Sequence, residues 1–439
     1  MIDRPTITEQ LVPILGRPIS DKDLRRAALL LLDWTGCSIA GRQEPAGQKM
    51  AAAFPDEAGK CSRIGSSKSS VLIAALHNGA LGNVLEMDDV DKRAILHAAP
   101  TIIPAALAMA EHVDASCRQF LEAIVIGYEA TSRIGRAVGP GHYAFWHNTA
   151  TCGPFGAAAA ACHLLEGSDL VSALGLAGTQ AAGLWQTRHE PDSMAKQLHA
   201  GHAAHAGVLG AILSAQGFQG PRSILEGEQG FFAAMCPGAE PKDVLAEGNA
   251  KWLLHETSIK PYPACRHAHP SIDAALLARA KIDVEGVERI FVDTYADAIK
   301  FCDNPEPRSS IEAKFSLQHS VAVTFIKGVP ELSDFSETAI NDPEITAMRQ
   351  KVRVRENQEL TQNYPDHYSA SVTPYDIPFA VKDAYGDPEN PMSKDDIWKK
   401  AVTLTDYAQM DEYKSDLLFR VMQEFEDEPN LIEYGEAIS

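Results

Sequence analysis

Two stretches constrain this chain more than any others: GPFGAAAAAC at 153–162 and HAGHAAHAGVLGAILSA at 199–215. Both have helical spacing but almost no bulk on any face. Helices built this way let neighbouring backbones approach closely, so they belong at the centre of a helical assembly, packed on every side. The surrounding text is of the same kind. From Asp21 to about Lys251, apolar residues recur at three- and four-residue spacing with few β-branched runs. That pattern predicts helices over Asp23–Ala40, Val71–Met87, Arg118–Val138, Ala150–Leu165, Leu170–Trp185 and Met194–Gln216. Ser20 followed by Asp21 and Asp23 marks a helix start, and Gly41 a stop.

Near Lys260 the texture changes. KPYPACRHAHP (260–270) holds three prolines in eleven residues and reads as a non-helical linker into a second lobe. VERIFVDTY (287–295) is β-rich, SLQHSVAVTFIKG (316–328) suits a helix, and HYSASVTPYDIPFAV (367–381) suits an interrupted strand. From Ser393 the helical pattern returns. A chain of 439 residues is about three times the usual domain size. The expectation is therefore a mainly α protein: a helical domain over 1–260, a smaller α+β domain over 261–390, and helices over 391–439 that rejoin the first domain. The tail after Arg420 has six acidic and no basic residues and reads as a solvated end.

The balance of 39 Lys+Arg against 59 Asp+Glu gives a net charge of −20. With no basic patch, that excludes nucleic acid and anionic membrane surfaces as expected partners. The eight cysteines form no CxxC pair, which predicts free thiols, a reducing compartment and a cytoplasmic protein. The most apolar run, Ala203–Ala215, contains His205 and two glycines and falls short of the ~18 residues of a membrane span.

Four segments carry chemistry. In EMDDVDKRAILHAAPTIIP (86–104), Glu86, Asp88, Asp89 and Asp91 crowd together ahead of His97. Such crowding perturbs carboxylates unless cations or a ligand compensate, although a solvated helix end broken by Pro100 accounts for the same residues. The spacing lacks the calcium-loop pattern, so no metal is assigned. GHYAFWHNTATCGPFG (141–156) places His142 and His147 before a small-residue helix, where a histidine can exchange protons near neutrality or serve packing alone. In SMAKQLHAGHAAHAG (193–207), Lys196 and His199 share a helix face, and a lysine heading an apolar helix needs an anionic partner. His199, His202 and His205 converge too poorly for zinc. Finally, 260–270 brings Lys260, Tyr262, Cys265, Arg266, His267 and His269 to a domain junction, where cations and a phenol suit a carboxylate. Cys265 reads as a packed thiol, since no base is evident for it.

Taken in this order, the segments resemble the MmgE/PrpD family of dehydratases, decarboxylases and epimerases, from LLDWTGCSIAG (31–41) to SLQHSVAVTFIKG. The matching positions are Glu86, Asp88, Asp89 and His97 before IPAALAMAE (103–111), then His147 and Thr149, then Lys196, Leu198, His199, Ala200 and Gly201, then Lys260 through Cys265. This chain departs from the family pattern at Glu86 (often Asp), near Val90 or Asp91 (often Thr or His), at Ala98 (usually Pro) and at His319 (often Tyr). The resemblance implies a homodimer with a helical domain, an inserted α+β lid and a cleft between them. It also implies cofactor-free chemistry on small di- or tricarboxylates.

Such reactions make or break a bond at a carbon flanked by carboxylates. They need a proton carrier, together with cations that offset charge developing in the transition state. On that basis His97 and His147 are assigned acid/base roles, Glu86 the orienting of a histidine, and His319 proton donation in place of the tyrosine. Lys196, His199, Lys260, Tyr262 and His267 are assigned to substrate binding. A lyase leads. An isomerase built from the same residues, of the iminodisuccinate epimerase kind, and a non-catalytic paralogue are the alternatives.

Overall fold

The computed structural model describes residues 4–55, 57–190, 192–425 and 430–439. It is 58% helical and 8% strand, a mainly α protein. The chain divides into two compact units, Met1–Thr257 with Ser393–Ser439, and Ser258–Met392.

In the first unit the helices that matter are α1 (Asp21–Gly41), α2 (Val71–Leu81), α3 (Ala99–Val113), α4 (Cys117–Ala137), α5 (Asn148–Leu164), α6 (Leu170–Gly178) and α7 (Ala195–Ala215). At the start of α1, the N–H and hydroxyl of Ser20 both donate to Asp23 Oδ2, at 2.8 and 2.6 Å. The Ala-rich α5 is buried along nearly its whole length and packs against α3, α4, α6 and α7. Small residues make that possible. A Cβ on Gly207 of α7 would stand 2.4 Å from Ala157 Cβ and 2.5 Å from the Ala158 backbone nitrogen, closer than any real contact.

Two helices end earlier than the periodicity predicts. The run Val71–Met87 stops at Leu81, because residues 82–98 form a loop in which Glu86 and Ile95 both take positive φ, 59° and 50°. The run Leu170–Trp185 stops at Gly178, and the chain then turns through Gly183 at φ 144° to pair Leu184 with Trp146.

The second unit carries a four-stranded sheet in the order β4-β3-β5-β6. Here β1 (Cys61–Arg63) and β2 (Ser66–Ser69) are a small hairpin of the first unit, and the sheet is β3 (Ile290–Thr294), β4 (Val352–Glu356), β5 (Ala370–Pro374) and β6 (Phe379–Val381). Strands β3 and β4 run parallel; the β3–β5 and β5–β6 pairs are antiparallel. The period-two burial of β3 turns Ile290 and Val292 into a core with Val321 and Phe325 of α9 (Leu317–Lys327) and Ala274, Ala275 and Ala278 of α8 (His269–Arg279). The third proline of the linker does not extend it: Pro270 sits in the first turn of α8, where its missing N–H is no loss.

The chain returns to the first unit through α10 (Lys394–Tyr407), whose buried face is Ile397, Lys400, Ala401 and Leu404. The tail is not simply a solvated end. Residues 426–429 lie outside the described residues, but α11 (Leu431–Ile438) buries Leu431, Tyr434, Ala437 and Ile438, and the Tyr434 hydroxyl lies 2.6 Å from Thr35 Oγ1. Glu433 and Glu436 share this helix with an apolar stripe that charge counting overlooks. All eight cysteines are free thiols, and among the described residues no helix is long and apolar enough to cross a membrane.

Candidate active site

The loop 82–98 is the centre of the first unit's chemistry, and its carboxylates are not solvated. Glu86 is 2% exposed and Asp88, Asp89 and Asp91 are fully buried. Each has a partner. Glu86 pairs with Lys196 Nζ. Asp88 Oδ2 accepts from Asn83 Nδ2 at 2.6 Å. Asp89 accepts from the Ala99 N–H at 3.0 Å and from the Tyr128 hydroxyl at 2.8 Å. Asp91 meets Arg136 at 2.9 Å and caps the N–H groups of Arg93 and Ala94. Burial, and then the neighbouring Asp88, push the Asp89 carboxyl up to about 8, which favours one negative charge over two on these adjoining groups.

From below, Lys400 of α10 holds the same loop. Its Nζ donates to Asp33 Oδ1 of α1 at 2.5 Å and to the carbonyl of Met87 at 2.6 Å. Met87 lies between Glu86 and Asp88, so this ammonium fixes the corner that aims both carboxylates.

His97 closes the loop. Its Nδ1 lies 2.7 Å from the Asp89 carbonyl oxygen and 3.1 Å from Asp88 Oδ2. A carbonyl only accepts, so Nδ1 carries the hydrogen and, in the neutral ring, Nε2 carries the lone pair. Among the described residues Nε2 has no partner, and the side chain keeps 15% exposure. The backbone N–H of His97 donates to Thr149 Oγ1 at 3.0 Å, which ties the loop to α5.

His147 stands immediately before α5. Its ring packs on Trp185 at 4.5 Å, and its Nδ1 lies 3.4 Å from Nδ1 of His199 on α7. Nε2 is buried without a hydrogen-bond partner. Burial, with Lys196, His199 and His97 in electrostatic reach, holds His147 well below the usual imidazole range, while Asp88 pulls the other way. His199 is likewise pushed down to about 4 by burial and by Lys196. The first unit thus brings Glu86, His97, His147, Lys196 and His199 together, and adds Asp88, Asp89, Tyr128, Trp185 and Lys400. The carboxylate beside a histidine is that of Asp88; Glu86, to which the sequence assigns this task, faces Lys196 instead.

His142 does not join them. Its Nδ1–H donates to the Met235 carbonyl at 2.9 Å and Nε2 bonds Thr151 Oγ1 at 2.8 Å, so both nitrogens serve packing. His202 and His205 stack with ring centroids 6.3 Å apart, and His202 Nε2 lies 3.4 Å from the Gln180 carbonyl oxygen.

The second unit holds the remaining residues. Lys260 is fully buried, and the Tyr262 hydroxyl donates to Asp273 Oδ1 at 2.6 Å. His267 lies between the parallel rings of Phe301 and Tyr368, with Nδ1 2.7 Å from the Tyr295 hydroxyl. Burial and the adjacent Arg266 push it down to about 3, so it is a neutral ring and not a cation. His319 corrects the expectation of a proton donor: Nε2–H donates to the Asp334 carbonyl at 2.8 Å and Nδ1 accepts from Arg349 at 3.1 Å. With both nitrogens engaged and the residue fully buried, nothing on it is left for a substrate. The carboxylates grouped closely enough for a cation, among the described residues, are Asp383, Asp387 and Glu389, where Asp387 pairs with Arg266 at 2.5 Å and Asp383 with His367 at 2.7 Å.

Residues 16–243 match the MmgE/PrpD N-terminal domain and residues 262–423 the MmgE/PrpD C-terminal domain. The chain is 29% identical to a cis-aconitate decarboxylase of Aspergillus terreus over 77% of its own length and 75% of that protein's. It is 26% identical to the human cis-aconitate decarboxylase over 74% and 71%. To a 2-methylcitrate dehydratase of Cupriavidus necator it is 25% identical over 47% and 44%. With both domains matched across most of its length, this chain belongs to the MmgE/PrpD family.

Proposed function

We propose that the protein is a lyase acting on a small di- or tricarboxylic acid of the cis-aconitate or 2-methylcitrate type, with its own side chains carrying the proton transfers. The observation that carries this reading is His97. Its Nδ1–H is held by the Asp89 carbonyl and the Asp88 carboxylate, and its Nε2 is left unpartnered. A carboxylate and a carbonyl against Nδ1 fix the tautomer and the orientation of the ring, so that Nε2 presents its lone pair for proton transfer.

In decarboxylation, imidazolium His97 delivers a proton to an alkene carbon. The bond to one carboxylate then breaks, and its electron pair closes the new double bond as carbon dioxide leaves. In dehydration, neutral His97 removes a proton from the carbon next to a carboxylate, the double bond forms, and the hydroxyl leaves as water with a proton from His147. As His147 Nε2 gives up its proton, the shared hydrogen passes from His199 Nδ1 to His147 Nδ1 and the part-exposed His199 takes a proton from solvent at Nε2, so neither ring is left charged. Lys196 is the first unit's candidate for binding a substrate carboxylate, and Lys260 and a neutral His267 are the second unit's. Decarboxylation is favoured, because the decarboxylase relatives align over about three quarters of this chain and the dehydratases over less than half.

Proton NMR of cis-aconitate and 2-methylcitrate incubated with the enzyme in deuterium oxide tests the proposal. Loss of carbon dioxide from the first, or of water from the second, with one solvent deuterium involved per turnover, supports a lyase. Deuterium exchange at carbon without loss of either group supports the isomerase reading and overturns ours. Full turnover by His97→Ala removes His97 from the mechanism.

A further inference from the structure

His267 lies in a box of aromatic rings that restricts it far more than a surface ligand group would be. Phe301 stacks on it with centroids 5.2 Å apart and planes at 4°, and Tyr368 with centroids 5.4 Å apart and planes at 6°. Tyr295 closes the edge with its hydroxyl 2.7 Å from Nδ1, and its own ring is backed by Tyr364 at 4.7 Å. The stack fixes the plane of the imidazole, and the phenol fixes one nitrogen.

The direction of that hydrogen bond follows from burial. Tyr295 is fully buried, and among the described residues the one partner of its hydroxyl is His267 Nδ1. If Nδ1–H were the donor, the phenolic hydrogen would be left inside the protein with no acceptor, at a cost of about 1–3 kcal/mol. The phenol does not ionise to avoid this, because burial raises it well above its ordinary value. An imidazolium is disfavoured in turn by the Arg266 guanidinium on the neighbouring residue. Nδ1 therefore accepts, and the ring hydrogen sits on Nε2. That atom has no hydrogen-bond partner among the described residues, on a residue that is 4% exposed.

We propose that Tyr295 is a positioning residue: its phenol donates to Nδ1 of His267 and sets the Nε2–H tautomer, so that His267 offers a substrate carboxylate an oriented hydrogen bond and no charge. This rests on the assignment of His267 to substrate binding above. It makes the geometry of the second unit a matter of direction, with cationic attraction left to the lysines.

The test uses the full chain labelled with 15N-histidine, with the His267 signals identified by their loss in His267→Gln. Wild type is expected to show the Nε2–H tautomer by long-range 15N–1H correlation. Tyr295→Phe keeps the ring stack but removes the donor. It is expected to populate the Nδ1–H form and to raise KM about tenfold, with kcat changed by less than about twofold, the size of one lost neutral hydrogen bond. A wild-type His267 in the Nδ1–H or doubly protonated form overturns the proposal, as does a Tyr295→Phe enzyme whose tautomer is unchanged. If the tautomers behave as expected but His267→Gln leaves KM unaltered, the substrate-binding assignment fails and the donor role with it, an outcome the spectra alone distinguish from a wrong tautomer.

Discussion

The ammonium of Lys400 gives the sharpest prediction about how loop 82–98 is held. Lys400→Met keeps a stem of similar length but removes the charge from a site where Lys400 and Asp33 side chains are 5% and 1% exposed. Two groups lose their partner: Asp33 Oδ1, whose sister Oδ2 already has no hydrogen bond, and the Met87 carbonyl. Breaking such a pair from one side costs about 3–5 kcal/mol, because a buried charge is left uncompensated. Asp33 can escape by taking a proton, and this sets a ceiling. From an ordinary value of 3.8, holding the carboxyl neutral costs about 4 kcal/mol at pH 7 but about 2 kcal/mol at pH 5. The sign follows from linkage: in the variant the folded-state value of Asp33 lies above the unfolded one, so stability is present at low pH and is lost as pH rises. Urea denaturation should therefore show Lys400→Met destabilised by about 4–6 kcal/mol at pH 7, with about 1–2 kcal/mol of that from the orphaned carbonyl. The deficit should shrink by about 1.4 kcal/mol per unit down to pH 5. The double variant Asp33→Leu/Lys400→Met should recover most of the loss and its pH dependence, yet still turn over slowly, because nothing fixes the Met87 corner. A deficit independent of pH, or a double variant no more stable than the single one, refutes the reasoning.

Other outcomes follow from the same geometry. Asp88→Asn leaves a hydrogen-bonding group beside His97 but removes the charge that stabilises imidazolium; kcat should fall about 10²-fold with little change in the urea midpoint. Glu86→Gln releases Lys196 from its ion pair, so the KM for a dicarboxylate should drop at low salt and the difference should fade as salt is added, read from steady-state kinetics at two ionic strengths. His142 and His319, pushed down to about 4, and His267, to about 3, are neutral when folded and take protons when unfolded below about pH 6.5. Asp89, held up to about 8, opposes them by one proton. These four groups should together lower stability by roughly 2–3 kcal/mol per unit between pH 6 and 5, and His147 and His199, also held low, add to the fall, which urea denaturation at constant ionic strength measures. Gly207→Ala drives a methyl into the α5 backbone and should cost about 1–3 kcal/mol by thermal melting.

What could be read from sequence divides by the range of the interaction. The mainly α character and the central place of α5 and α7 follow from local spacing and side-chain size, and both are visible in the Ala- and Gly-rich runs. The partnering of loop 82–98 is another matter. Four acids in six residues announce a special site, but which of them faces His97 depends on backbone turns at Glu86 and Ile95 that no spacing rule specifies. Hence Glu86 reads as the histidine's partner when it is in fact that of Lys196, 110 residues away. Lys400 carried one local signal: it occupies the apolar face of α10 beside Ile397, Ala401 and Leu404, where a lysine needs an anion. His319 carried none, since the arginine and the carbonyl that use up its ring lie 30 and 15 residues further on.

The same pairing resolves a conflict between the chain's charge and its proposed ligand. A net charge of −20 opposes an anionic substrate, and a loop with four carboxylates sharpens the opposition. Yet Lys196, Lys400 and Arg136 stand against Glu86, Asp33 and Asp91, and Asp89 favours its proton. The field near His97 is then set mainly by Asp88, whose charge lies against Nδ1 on the far side of the ring from the unpartnered Nε2. A carboxylate there orients the ring while keeping the imidazole between itself and whatever binds at Nε2. The buried cations therefore neutralise the protein's own acids first, and attraction for the substrate comes from what Lys196 can share and from directed hydrogen bonds. Such a site gains selectivity from geometry, since a carboxylate placed a hydrogen bond's length away from these donors meets the remaining charge of Glu86 and Asp88 with little to offset it.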